Sequence, residues 1–230
     1  MKKKKNEEQK PEQEEQEQEE EQEEEQGAGQ ETSVVFLNSP FEGEADPTSK
    51  LRIVNLYGEV DEERASETIC TMLYLKETGQ VSAPDEDSPS QECEPFKFLI
   101  STPGGAATEM FAIYDLMCNV RKECEIHTIG LGKVMSAGVL LLAAGTKGKR
   151  KIGKHCRIML HGVVGASYGS IYNLEVEMDE IKWLQEQYTS CLIKETKMTK
   201  RYIKKLLDKK INIYLTAKEA IELGIADIII

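Results

Sequence analysis

Short apolar runs of strand length alternate along this chain with stretches whose apolar residues recur at helical spacing, and that recurrence constrains the fold more than any other feature. Leu51-Arg-Ile-Val-Asn-Leu-Tyr57 alternates like a half-buried strand, and after Gly58 the segment Asp61-Glu-Glu-Arg opens an expected helix that runs through Lys76. Residues 96–101 read as a second strand, and residues 108–120 carry Met110, Phe111, Ile113, Tyr114 and Met117 at helical intervals. The unit then recurs, with strand at 126–131, a buried helix at 136–144 and strand again at 157–161. Strands joined through helices run parallel, so the pattern calls for an α/β core of repeated strand–helix units.

Between these units, residues 77–94 hold Gly79, Pro84, Pro89 and six acids and read as an exposed loop. The second half of the chain differs. Gly162-Val-Val-Gly-Ala-Ser-Tyr-Gly169 is a Gly-rich extended segment, followed by a long amphipathic helix from about 171 to 197. Its stripe of Leu174, Met178, Ile181, Leu184, Tyr188, Cys191 and Leu192 suits either a partner subunit or its own domain. A shorter helix is expected over 199–209, then an apolar segment at 211–215. Thr216 suits the N-cap of a last helix that Gly224 ends, and residues 225–230 close the chain as an apolar segment.

The first 32 residues are almost entirely Lys, Glu, Gln and Gly, and their 5 Lys and 13 Glu account for −8 of the formal charge of −12. With no apolar face to bury, such a tail does not offset its ordering entropy, so residues 1–32 are expected to be disordered, as a solubilising or tethering segment or one that docks on a basic partner. Residues 33–50 form an extension without a clear pattern. The remaining net charge of −4 points to neither nucleic acid nor a membrane surface. The leading lysines precede no apolar segment of signal-peptide type, and the run from Ala137 to Ala144 is far short of the roughly 20 residues a bilayer requires. Cys70, Cys93, Cys118, Cys124, Cys156 and Cys191 contain no C-x-x-C pair and several sit in apolar segments, so buried reduced thiols and a cytoplasmic location are expected.

Chemistry is concentrated in three segments. Ser136 lies in Gly132-Lys-Val-Met-Ser136-Ala-Gly138, just ahead of an apolar run, and His161 ends the strand-like Arg157-Ile-Met-Leu-His161. A serine hydroxyl attacks a carbonyl only when an adjacent imidazole takes its proton, so the pair suggests a nucleophile and its base. Thr102-Pro-Gly-Gly105 follows a strand, where backbone N–H groups can face a developing oxyanion. The nucleophile elbow G-x-S-x-G is absent, because position 134 is Val. Ser136 instead starts a helix, whose positive end would stabilise an alkoxide. Singly, Ser136 also suits a helix start, Gly104-Gly105 a plain turn, and His161, like His127 and His155, a hydrogen-bonded core position.

Taken together, Thr102-Pro-Gly-Gly-Ala-Ala-Thr-Glu-Met-Phe-Ala-Ile-Tyr-Asp115, Met135-Ser-Ala-Gly138 with Leu-Leu-Ala-Ala-Gly-Thr-Lys-Gly-Lys-Arg150, Arg157-Ile-Met-Leu-His161 and Thr216-Ala-Lys-Glu-Ala-Ile-Glu-Leu-Gly-Ile-Ala-Asp227 resemble the proteolytic subunit of the Clp protease, in that family's order, over about residues 50–230. The resemblance implies a ClpP/crotonase-like α/β superhelix with a protruding β/α handle at about 162–197. It also implies seven-membered rings stacked in pairs around a proteolytic chamber, as a homo-oligomer or as mixed rings with a paralogue, fed by an ATP-driven AAA+ unfoldase. By position Ser136 matches the nucleophile, His161 the base, and Gly105 with Ala137 the oxyanion donors. The implied activity is serine endopeptidase cleavage of unfolded polypeptides, with no metal or organic cofactor. The chain has no G-x-x-x-x-G-K-[ST] loop, so ATP would be used by another protein.

Where the family has the aspartate that orients the histidine, this chain has Asn212. An amide accepts the imidazole N–H but supplies no charge; in trypsin the Asp-to-Asn change lowers turnover by ~10⁴, whereas Cys-His-Asn proteases work with an amide. Asp208, about one helical turn earlier, is the other candidate. Lys133, Met135 and Gly162-Val163 also depart from the family's usual residues, and the segment before Leu51 lacks a match to its N-terminal helix and pore loop. Alternative readings are a weakly active or inactive ring subunit, an acyl-CoA enzyme of crotonase type, and a protease of viral particle maturation.

Overall fold

The alternation read from the sequence builds one mixed sheet with helices packed on it. The structure is a computed structural model and describes residues 51–81, 92–207 and 211–230. The expectations for residues 1–50, for the middle of the 77–94 loop and for Asp208 lie outside the described residues.

In chain order the elements are β1 (Ile53–Tyr57), α1 (Glu62–Thr78), β2 (Gln80–Val81), β3 (Glu92–Thr102), α2 (Ala107–Val120), β4 (Cys124–Met135), α3 (Ala137–Ala143), β5 (Lys151–Ile152) and β6 (Arg157–Leu160). There follow α4 (Ile171–Glu195), α5 (Lys200–Leu207), β7 (Ile213–Leu215), α6 (Ala217–Glu222) and β8 (Ile228–Ile229). Strands β1, β3, β4, β5 and β8 pair in that order, all parallel. β2 joins β3 antiparallel, while β6 runs parallel to the end of β4 and carries antiparallel β7 on its far side.

Local chemistry sets the element ends. Asp61 caps α1 by accepting the Arg64 N–H at 2.9 Å, and Thr216 with Glu219 forms the reciprocal capping box of α6. Alternation along β3 turns Phe96, Phe98 and Ile100 into the core, and α3, buried along its whole length, packs on the same sheet. Buried aliphatic and aromatic side chains of this kind each contribute about 1.5–3 kcal/mol.

Several expectations need correction. The 77–94 loop is shorter, because Gln80 pairs with Cys93 and Val81 with Glu92 in a hairpin that polar composition conceals. β4 continues past Leu131 to Met135, with a register shift against β3 between Ile100 and Thr102, so the strand ends directly at Ser136. The cysteines are not all reduced: Cys93 and Cys124 form a disulfide. They lie opposite each other on β3 and β4 with Cα atoms 4.8 Å apart, within disulfide range, although 31 residues separate them in sequence. Cys70, Cys118, Cys156 and Cys191 are free.

The α4 stripe divides in two. Tyr188 and Leu192 are buried, whereas Leu174 and Met178, with Ile171 just ahead of the stripe, remain exposed, so packing on the chain's own domain accounts only for the C-terminal half. That half ends on Glu195, which is 1% exposed. Its carboxylate accepts from Tyr114 Oη and Arg121 Nη1, both at 3.0 Å, and pairs with Lys147 Nζ at 3.0 Å. Arg150 donates to the Glu195 carbonyl at 2.8 Å and to Asp227 Oδ2 at 2.7 Å, bringing the C-terminal segment into the same network. Burial alone would raise the Glu195 carboxyl, but the hydrogen bonds and charges of Arg121 and Lys147 outweigh it and bring the group down to about 2. Among the described residues no helix is long and apolar enough to cross a membrane.

Glu195→Gln is therefore expected to destabilise the fold by about 1–3 kcal/mol at neutral pH, since it removes a buried carboxylate that accepts from Tyr114 and pairs with the partly buried Arg121 and the more exposed Lys147. Because the folded carboxyl titrates below its unfolded value, its contribution is full above about pH 4.5 and is lost as pH falls through about 2. Denaturant melts of wild type and variant between pH 7 and pH 3 should show the gap narrowing with acid.

Candidate active site

Two adjacent parallel strands deliver the principal side chains. β4 and β6 pair through Lys133 with Arg157, Val134 with Ile158 and Met135 with Met159, and Ser136 and His161 follow directly at their C-terminal ends. The carboxyl ends of parallel strands are where open α/β sheets present their ligand sites. Ser136 Oγ lies 2.7 Å from His161 Nε2, the distance at which a hydroxyl donates to an unprotonated ring nitrogen. Thus the structure brings this pair together.

Ser136 has φ 52° and ψ −117°, and among the described residues it is the only non-glycine with positive φ. Such a conformation costs about 1–3 kcal/mol and persists only where the surroundings hold it. They do so through the main chain: Ser136 N–H donates to the Met159 carbonyl at 2.8 Å, and the Ser136 carbonyl accepts from Val139 N–H at 3.0 Å and Tyr188 Oη at 2.9 Å. Although Ser136 stands at the N-cap of α3, its hydroxyl makes no capping bond. The ordinary use of a serine at a helix start is not the one made here.

The glycine turn lies against this residue. Gly104 has φ +103°, and a Cβ there would come within 2.6 Å of Ser136 Cβ. Thr102 Oγ1 accepts the Gly104 N–H at 3.0 Å, Val60 N–H donates to the Gly104 carbonyl at 2.8 Å, and Ala106 N–H donates to the Val60 carbonyl at 2.8 Å. Val60 therefore brackets Gly105 on both sides, and a Cβ on Gly105 would lie 2.2 Å from the Val60 oxygen. Among the described residues the Gly105 N–H has no acceptor. Ala137 is the first residue of α3, a position whose N–H has no intrahelical partner.

Asn212 is exposed one residue before β7 and makes no side-chain hydrogen bond among the described residues. The β6–β7 ladder pairs Ile158 with Leu215, Met159 with Tyr214 and Leu160 with Ile213 and ends there, one residue short of both His161 and Asn212, and no hydrogen bond joins those two side chains. After His161, Gln185 Oε1 of α4 accepts the Val163 N–H at 2.7 Å.

Three contributors escaped the sequence reading. Val60 acts through its main chain, for which no side-chain signal exists. Tyr188 was legible only as one member of an apolar stripe, although its burial raises the phenol well above its usual range and keeps it a proton donor. Gln185 faces the segment after His161 because of where α4 lies. A hydroxyl paired with an imidazole, beside two uncommitted N–H groups, has the components of acyl transfer through a tetrahedral intermediate.

Gly104→Ala is expected to lose about 1–3 kcal/mol of stability from backbone strain and to displace Ser136. Calorimetry reads the first effect and a crystal structure of the variant the second; an unmoved Ser136 with unchanged melting would contradict this packing.

Comparison with known proteins places these residues in a wider setting. The sequence description of the Clp protease family matches residues 43–230. The ATP-dependent Clp protease proteolytic subunit 1 of Prochlorococcus marinus (strain MIT 9312) is 32% identical over 179 residues, covering 78% of this chain and 84% of the relative. The protein of the same name from Prochlorococcus marinus subsp. pastoris (strain CCMP1986 / NIES-2087 / MED4) is 31% identical over 179 residues, covering 78% of this chain and 83% of the relative.

Proposed function

Because this chain belongs to the Clp protease family, we propose that it is a serine endopeptidase in which Ser136 is the nucleophile and His161 its general base. The observation that carries this reading is the 2.7 Å contact between Ser136 Oγ and His161 Nε2. Family membership supports a peptidase; the geometry supports these residues for the reaction.

His161 Nε2 removes the proton as Ser136 Oγ attacks the scissile carbonyl, and the resulting oxyanion lies between the N–H groups of Gly105 and Ala137. The imidazolium then protonates the departing amine, leaving an acyl-enzyme on Ser136. Water, deprotonated by the same nitrogen, releases the second product and restores the hydroxyl. An orienting partner on Nδ1 keeps the imidazole in the accepting tautomer. Asn212, which follows the last pair of the β6–β7 ladder, and Asp208 are the two candidates for that role.

The relatives are named as proteolytic subunits of an ATP-dependent protease. On that likeness the chain works within stacked rings, alone or with a paralogue, and receives unfolded polypeptide from a separate AAA+ unfoldase. Residues 51–230 then form the peptidase domain, a superhelix of strand–helix units. Segment 162–197 is its handle, consistent with the exposed apolar residues of the first half of α4.

A fluorophosphonate probe should label wild type and not Ser136→Ala. An assembled ring that resists labelling would identify a structural subunit instead. On a short fluorogenic peptide, Asn212→Asp is expected to raise kcat at least about tenfold, by supplying the charge an amide lacks. An unchanged rate there, with collapse on Asp208→Ala, would transfer the orienting role to Asp208.

A further inference from the structure

The geometry points to Tyr188 as a positioning residue that aims the Ala137 N–H at the oxyanion, an inference that rests on the endopeptidase reading above. The peptide unit joining Ser136 to Ala137 is planar and trans, so its carbonyl oxygen and its N–H point in opposite directions. Whatever holds the Ser136 oxygen on one side therefore sets the direction of the Ala137 N–H on the other.

Two groups hold that oxygen. Val139 N–H reaches it at 3.0 Å, but Val139 belongs to α3 itself and turns with the helix. Tyr188 Oη reaches it at 2.9 Å from α4, a separate element, and so fixes the peptide plane relative to the rest of the site. Its ring is 4% exposed and belongs to the core cluster, which leaves the hydroxyl little freedom to leave its acceptor. Ser136 has the further need of an external hold, since its positive φ is unfavourable for a residue with a Cβ. Met159 anchors the N–H of Ser136 and Tyr188 its carbonyl, one clamp on each side of the unfavourable torsion. Tyr188 touches no reacting atom; it acts through the peptide whose N–H does.

Loss of a whole oxyanion donor lowers kcat by about 10²–10³, and mis-aiming one costs less. In the full-length assembled protein, Tyr188→Phe is expected to lower kcat on a fluorogenic peptide by about tenfold while KM stays within about twofold. Affinity for a peptide boronate, whose tetrahedral adduct places an oxygen at the oxyanion position, should fall by the same factor, and affinity for a product peptide should hold. Replacing Tyr188 with p-aminophenylalanine, which restores a donor, should return both values, whereas p-methylphenylalanine, of similar size without a donor, should not. Unchanged kcat and boronate affinity in Tyr188→Phe would overturn the inference. Equal behaviour of the amino and methyl analogues would overturn it as well, and that pair decides the matter if Tyr188→Phe does not assemble. A wild-type protein that neither hydrolyses the peptide nor labels with fluorophosphonate would instead overturn the endopeptidase reading, and the inference with it.

Discussion

The geometry of the site depends on how the main chain of Ser136 is held. A residue with a side chain does not rest at φ 52° unaided. The end of β4 stops one residue short of a buried helix, β6 accepts its N–H through Met159, and α4 reaches its carbonyl through Tyr188. The hydroxyl is thereby presented to His161 instead of folding back to cap α3. Close packing of Gly104 against the same residue leaves Ser136 little room to relax.

The C-terminal half of α4 connects this clamp to the charge network below it. Tyr188, Leu192 and Glu195 recur at intervals of four and three and share one helical face, which is the buried one. Tyr114, Arg121 and Lys147 converge on Glu195, and Arg150 links its carbonyl to Asp227. Seating Glu195 seats the turns before it, including the one that carries Tyr188. The N-terminal half of the same helix keeps Ile171, Leu174 and Met178 in the open. One helix thus carries both a buried segment that holds the Ser136 carbonyl and a segment whose apolar side chains are exposed.

That Ser136, His161 and Gly104-Gly105 belong together was legible before the fold, because a hydroxyl, an imidazole and a turn free of Cβ atoms stand out in the sequence, and the structure sets them side by side. Strand identity at β1, β3 and β6 followed from alternation and apolar runs, and the boundaries were poorer where Gly132 and Lys133 interrupt the pattern of β4. Val60 was invisible because its contribution is two main-chain hydrogen bonds, which any residue but proline could make. The Cys93–Cys124 bond was equally hidden, since only the β3–β4 register makes those two positions neighbours.

By itself the amino-acid order determined the parallel α/β character and the family likeness, because apolar periodicity and short chemical motifs are local properties of the chain. It also determined which groups are present to react. Only the tertiary structure decided that Ser136 turns its hydroxyl toward His161, that the Gly105 N–H is left without an acceptor, and that a tyrosine 52 residues away grips the Ser136 carbonyl. Those outcomes follow from register and helix placement, which are set by the burial of side chains far apart in sequence.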